Sequence, residues 1–105
     1  MDKVFRAVSD PTRREILRLL RAGDMSAGSI SDRVSVAKST LSGHLNVLKE
    51  ANLVVTERSG TTIFYSLNVA VYEEMVQAVM EILGVGLDEV GYRKKGDSDA
   101  YELAD

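Results

Sequence analysis

Residues 25–53, MSAGSISDRVSVAKSTLSGHLNVLKEANL, decide how this chain is read. The stretch divides into two helices joined by a tight turn. In the second, at about 100° per residue, Leu41, Leu45 and Leu48 fall on one narrow arc, the i, i+4, i+7 stripe of a helix that faces a core. Ser39, Ser42, Gly43, Asn46 and Glu50 fall on the opposite side. A solvated surface helix is usually filled with Lys, Glu, Arg and Gln, whereas Ser, Gly and Asn are mediocre to poor helix formers. Lys38 and the hydroxyls gather at the N-terminal end, where the helix dipole favours an approaching phosphate. Short hydroxyl and amide side chains suit the base edges of a major groove about 12 Å wide. The pattern therefore points to a helix that reads DNA, against the alternative of an ordinary surface helix with a weak polar face.

The flanking segments agree. Ser26 is a good N-cap for the first helix, and Ile30 with Val34 gives it an inward i, i+4 pair. Val36-Ala37 leaves room only for a sharp corner, as in a helix-turn-helix whose second helix is the reader. After Leu53, two β-rich runs, 53–58 and 62–67, flank Ser59-Gly60-Thr61, and the glycine suits a hairpin turn. A hairpin placed there is a wing. Arg58 is its only cation and reads either as a backbone contact or as a solvated hairpin charge.

Upstream, residues 3–8 form a short helix with Val4, Phe5 and Val8 on one side. Ser9-Asp10-Pro11 caps a second helix over residues 11–21, which buries Ile16, Leu17 and Leu20 and ends at Gly23. Downstream, residues 69–83 carry Tyr72, Met75, Val76, Val79 and Leu83 on one stripe. So long an apolar stripe on a terminal helix asks for a second surface, and the expected one is a dimer interface formed with Val4, Phe5 and Val8 of the first helix. A two-fold pair would present its reading helices to half-sites about 34 Å apart.

The 105 residues fit one small domain with a lean core, 45% of them apolar. There is no cysteine, hence no disulfide, thiolate metal site or thiol switch. With no long apolar run and no signal-peptide pattern, the expectation is a cytoplasmic protein with no membrane partner. The net charge of −3 is unevenly spread. Residues 1–68 hold ten Lys/Arg and seven Asp/Glu (+3), and residues 69–105 hold three and nine (−6). The first part is thus mildly basic, and the acidity belongs to the C-terminal part. The expected organisation is a DNA-binding and dimerisation domain over residues 1–83, followed by an acidic, flexible tail over 84–105.

Ser9-Asp10-Pro11-Thr12-Arg13-Arg14-Glu15-Ile16-Leu17 resembles the opening signature of ArsR-type winged-helix repressors. Leu41-Ser42-Gly43-His44-Leu45, followed by Leu48 and by Ala51-Asn52-Leu53-Val54, is similar to that family's recognition helix and its exit into the wing. The resemblance covers roughly residues 3–83. It implies a mainly α winged helix-turn-helix, five helices with a two-stranded wing, acting as a homodimeric repressor on a double-stranded DNA operator with an inverted repeat. The DNA-contacting residues it implies are Lys38, Ser39, Thr40, Ser42 and His44 on the helix and Arg58 on the wing. His44, the only histidine, also reads as a half-buried ring that supports the helix.

Many members of that family sense metals through Cys on the first helix of the helix-turn-helix, or through His and acidic residues on the last. Residues 29–36 and 69–83 contain neither Cys nor His, and Glu73, Glu74 and Glu81 alone suit a transition metal poorly. The chain thus looks more like the metal-free, SdpR-like branch, with no metal site and no cofactor. Gly43 departs from relatives that carry a larger polar residue there. A winged-helix module that binds a protein through the same surface remains the alternative, and an inducer, protein or small molecule, is left open. No carboxylate pair, nucleophile–base couple or phosphate-cradling glycine loop appears, which argues against an enzyme.

Overall fold

The computed structural model describes residues 1–86. These residues fall into two compact units, Met1–Tyr72 and a second that begins at Glu73. The elements run α1 (Asp2–Val8), α2 (Pro11–Leu20), β1 (Met25–Ser26), α3 (Ala27–Ser31), α4 (Lys38–Glu50), β2 (Val54–Ser59), β3 (Thr62–Leu67) and α5 (Val69–Leu83). Among the described residues this is a winged helix-turn-helix with five helices.

Residues 6–14 build the α1–α2 corner. A helix leaves its last four carbonyls without partners, and here side chains take three of those on α1. Arg6 O accepts from Ser9 Oγ at 2.7 Å and from Arg13 Nη2 at 3.2 Å, Ala7 O from Arg13 Nε at 2.7 Å, and Val8 O from Arg14 Nη1 at 2.9 Å. Asp10, in extended backbone, caps α2 by accepting from the Arg13 amide at 3.0 Å, and Pro11 fills the first helical position. The backbone bond from Arg13, with the His44 and Arg13 charges adding to it, holds the Asp10 carboxyl below its ordinary value of 3.8.

The core of the first unit collects Val4 and Ala7 from α1, Ile16, Leu17 and Leu20 from α2, and Ile30 from α3. Val34, Leu41, Leu45, Leu48, Ala51, Leu53 and Val54 complete it. No polar or charged side chain is buried with them among the described residues. Leu41, Leu45 and Leu48 are thus the ridge on which α4 sits.

α4 ends in a Schellman turn. Asn52 takes φ of 61°, its N–H reaches Lys49 O at 2.9 Å, and the Leu53 N–H reaches Leu48 O at 3.0 Å. Leu48 and Leu53 are both fully buried, which supplies the apolar contact that accompanies this motif. The turn fixes the direction in which the chain leaves α4 and enters the wing. β2 and β3 pair antiparallel from Val54↔Leu67 to Ser59↔Thr62, around a two-residue loop whose first residue, Gly60, has φ of 64°.

Two features differ from the sequence expectation. The wing belongs to a three-stranded sheet of order β1-β3-β2, because Met25 and Ser26 pair with Tyr65 and Phe64. Ser26 also caps α3 through its Oγ, 3.1 Å from the Ser29 amide. The corner between α3 and α4 is longer than Val36-Ala37: α3 ends at Ser31, one further turn closes through the Val34 N–H to Ile30 O bond at 3.1 Å, and α4 begins at Lys38.

α5 spans residues 69–83 and stops in a second Schellman turn at Gly84, whose φ is 75°. Gly84 N–H bonds Glu81 O and Val85 N–H bonds Met80 O, at 3.1 and 3.0 Å. The flexible tail expected over 84–105 lies, from residue 87 on, outside the described residues.

Candidate nucleic-acid interface

α4 carries its apolar ridge inward and a continuous polar strip outward. Lys38, Ser39, Thr40, Ser42, Gly43 and Asn46 are all exposed. Whereas α2 and α3 have side-chain N-caps, α4 begins after Ala37 with none and has no acidic residue in its first turn. Lys38 even sets a cation at the positive end of the dipole. Each of these choices weakens an isolated helix. Together they leave free amide N–H groups and a cation where a phosphate would satisfy both. A local conflict of this kind is expected where sequence serves a site rather than stability.

Gly43 adds to the conflict. It lies in the interior of α4, exposed, with no atom beyond the adjoining helix backbone within 4 Å of where a Cβ would stand. A helix-interior glycine costs about 1 kcal/mol relative to alanine, and nothing inside the described residues requires it.

His44 differs from the other sequence candidates. Its side chain is 15% exposed and lies beneath the helix against α2. Arg13 Nη1 lies 3.2 Å from its Nδ1, and because a guanidinium only donates, this is a hydrogen bond when the ring is neutral with its proton on Nε2. Asp10 Oδ2 is 3.9 Å away, too far for a hydrogen bond. The same Arg13 holds the end of α1, so one guanidinium fastens α1, α2 and α4 together. His44 is thus half-buried and packed against Arg13, the geometry of the supporting ring that was one of its two sequence readings. Arg13 itself was missed as a site residue. Its partners lie six and seven residues back and 31 residues ahead, at separations no helical periodicity reveals.

Arg58 is exposed on β2 opposite Ile63, close to the hairpin loop. Of the residues expected in a dimer interface, Val4 departs: it is 6% exposed and belongs to the protomer's own core. Phe5 and Val8 are half-buried. On α5, Tyr72 and Met75 are half-buried, while Val76, Val79 and Leu83 are exposed. Ile82, absent from the expected stripe, is 73% exposed. The Tyr72 hydroxyl is shut from solvent without a hydrogen-bond partner, and burial pushes its pKa up to about 12. Among the described residues no three acidic or histidine side chains gather to hold a metal. No described helix is long and apolar enough to cross a membrane.

Residues 10–56 match the family described as bacterial regulatory protein, arsR family. Over 86 residues the chain is 43% identical to the transcriptional repressor SdpR of Bacillus subtilis (strain 168), covering 82% of this chain and 96% of that protein. The chain belongs to the ArsR family. This ArsR-family protein also resembles solved relatives. An ArsR-like transcriptional regulator from Rhodococcus sp. RHA1 superposes with a TM-score of 0.75 at 30% identity, over 97% of this chain and 90% of that one. NolR from Sinorhizobium fredii gives 0.63 at 34% identity, over 81% and 85%. The matched residues begin at the Asp10 cap, take in α4 and end in β2. The protein is a DNA-binding transcriptional regulator of this family, not an enzyme.

Proposed function

We propose that two copies of this chain form a homodimer that represses transcription by laying the α4 helix of each protomer into the major groove of an inverted-repeat operator. Lys38, Ser39, Thr40 and Ser42 face the bases and flanking phosphates, and Arg58 reaches the backbone beside them. The observation that carries this is the exposed, uncapped, hydroxyl-rich face of α4, held outward by a buried leucine ridge. The exposed Val76, Val79, Ile82 and Leu83 on α5 support a second copy as the covering surface. SdpR, the relative at 43% identity, is a repressor by name. Repression of the protein's own gene in the cytoplasm, with no bound cofactor, is the simplest arrangement.

A gel shift on the DNA upstream of the protein's own gene, at two salt concentrations, tests the proposal. A discrete complex is expected, weakening steeply as salt rises. Lys38→Ala and Arg58→Ala, each removing two phosphate-contacting cations from the dimer, should each flatten the log–log salt slope by about 1.8. A protein that shifts no such fragment at either salt, or whose slope is indifferent to both substitutions, contradicts it. Capture of a protein partner through the same residues would favour the winged-helix interaction module instead.

A further inference from the structure

Gly43 and Val47 stand one turn apart on α4, on the side away from the leucine ridge. Glycine is the poorest helix former after proline, yet the backbone at Gly43 is ordinary helix and a Cβ there would meet no atom beyond the adjoining helix backbone within 4 Å. The fold does not ask for glycine. Val47 is the complementary oddity: a β-branched apolar side chain, 38% exposed, on the outer flank of a helix whose other outward residues are polar or absent. At i, i+4 spacing the bare Gly43 Cα and the Val47 isopropyl group are neighbours on one helix face, and the space between them, open around the Gly43 Cβ position, is a small apolar notch.

In the major groove the only apolar group a base pair offers is the C5-methyl of thymine. We infer that Gly43 is the point of closest approach of α4 to DNA, and that its notch with Val47 admits a thymine methyl in each half-site. This rests on the DNA-reading role of α4 and adds one base identity to it. Glycine contributes no side-chain donor or acceptor. It selects by the space it leaves, and a Cβ at that position should collide with the methyl.

The experiment uses the full chain and a pool of random 30-bp duplexes. Sequences selected by the wild type are remade with each thymine replaced in turn by uracil, which removes only the methyl. Both sets are then bound by wild type, Gly43→Ala and, as a helix-propensity control, Gly28→Ala. Gly43→Ala should melt about 4–8 °C higher, which proves that it folds. It should nevertheless bind the selected duplex at least tenfold more weakly. One uracil position per half-site should weaken the wild type several-fold while restoring part of the Gly43→Ala affinity, and Gly28→Ala should select the same sequence as wild type. Equal affinity and equal base preference for Gly43→Ala overturn the inference. So does weaker binding by Gly43→Ala with no thymine whose methyl matters. A wild type that enriches no sequence overturns the DNA-reading role itself, which is a distinct result.

Discussion

Replacing Arg13 by methionine should destabilise the protein by about 2 kcal/mol while keeping much of the side chain's apolar bulk. The guanidinium donates to Ala7 O at 2.7 Å, to Arg6 O at 3.2 Å and to His44 Nδ1 at 3.2 Å. A hydrogen bond from a charged donor contributes about 1.5–3 kcal/mol when its partner is left buried and unsatisfied. The Ala7 and His44 bonds are part-buried and the Arg6 bond is exposed, so water takes over some of the carbonyls and the three do not add in full. With about 4–8 °C of melting temperature per kcal/mol for a domain this small, the melt should fall by about 8–16 °C. Arg13→Lys keeps the charge but lacks the planar fork, so it should recover no more than one of the three bonds. Arg14→Met removes a single exposed bond to Val8 O and should cost at most about 1 kcal/mol. Urea unfolding monitored by circular dichroism measures all three. An Arg13→Met protein within about 0.5 kcal/mol of wild type, or an Arg14→Met protein equally impaired, would refute the view that Arg13 fastens three helices.

Three further outcomes follow from the same geometry. Asn52→Ala should lower the urea midpoint by an amount equivalent to about 1 kcal/mol, because φ of 61° suits Asn and Gly but not residues with an unassisted Cβ, whereas Asn52→Gly should match or exceed wild type. The Asp10 carboxyl titrates below 3.8 in the folded chain, so its contribution is fully present above that pH and disappears as pH falls through the lowered value. Acid unfolding of Asp10→Asn should therefore lack part of the wild-type pH dependence below about pH 4. Val79→Glu together with Ile82→Glu should convert a dimer to a monomer in size-exclusion with light scattering, with the melt of the first unit little changed; a wild type that is monomeric at micromolar concentration would remove the proposed interface.

α4 was legible because its information is periodic. Leu41, Leu45 and Leu48 recur at core spacing, the residues between them are polar, and the structure buries the first set and exposes most of the second. The end of α5 was legible for a local reason: Gly84 supplies the positive φ that terminates a helix. β1 was not legible, since two residues cannot display an alternating pattern and Met25–Ser26 becomes a strand only because β3 lies beside it. The length of the corner before α4 was hidden by Ile30 and Val34, which sit at helical spacing although the helix stops at Ser31 and leaves Val34 buried from a turn. Arg13 and His44 were the least readable. An arginine three residues into a helix looks like a solvated charge, and His44 read equally as a contact or as a half-buried support. Only the fold brings their side chains to 3.2 Å.

The most direct measurement is a hydroxyl-radical and methylation-interference footprint on the selected operator, comparing wild type with a Ser39→Ala, Ser42→Ala double variant. The expected result is two protected major-groove patches on one face of the duplex, about 10–10.5 bp apart or a whole multiple of that. The double variant should fold, keep the backbone protection and lose the interference at specific bases. A single patch, or a double variant with unaltered base interference, would contradict the claim that a symmetric pair of α4 helices reads the DNA.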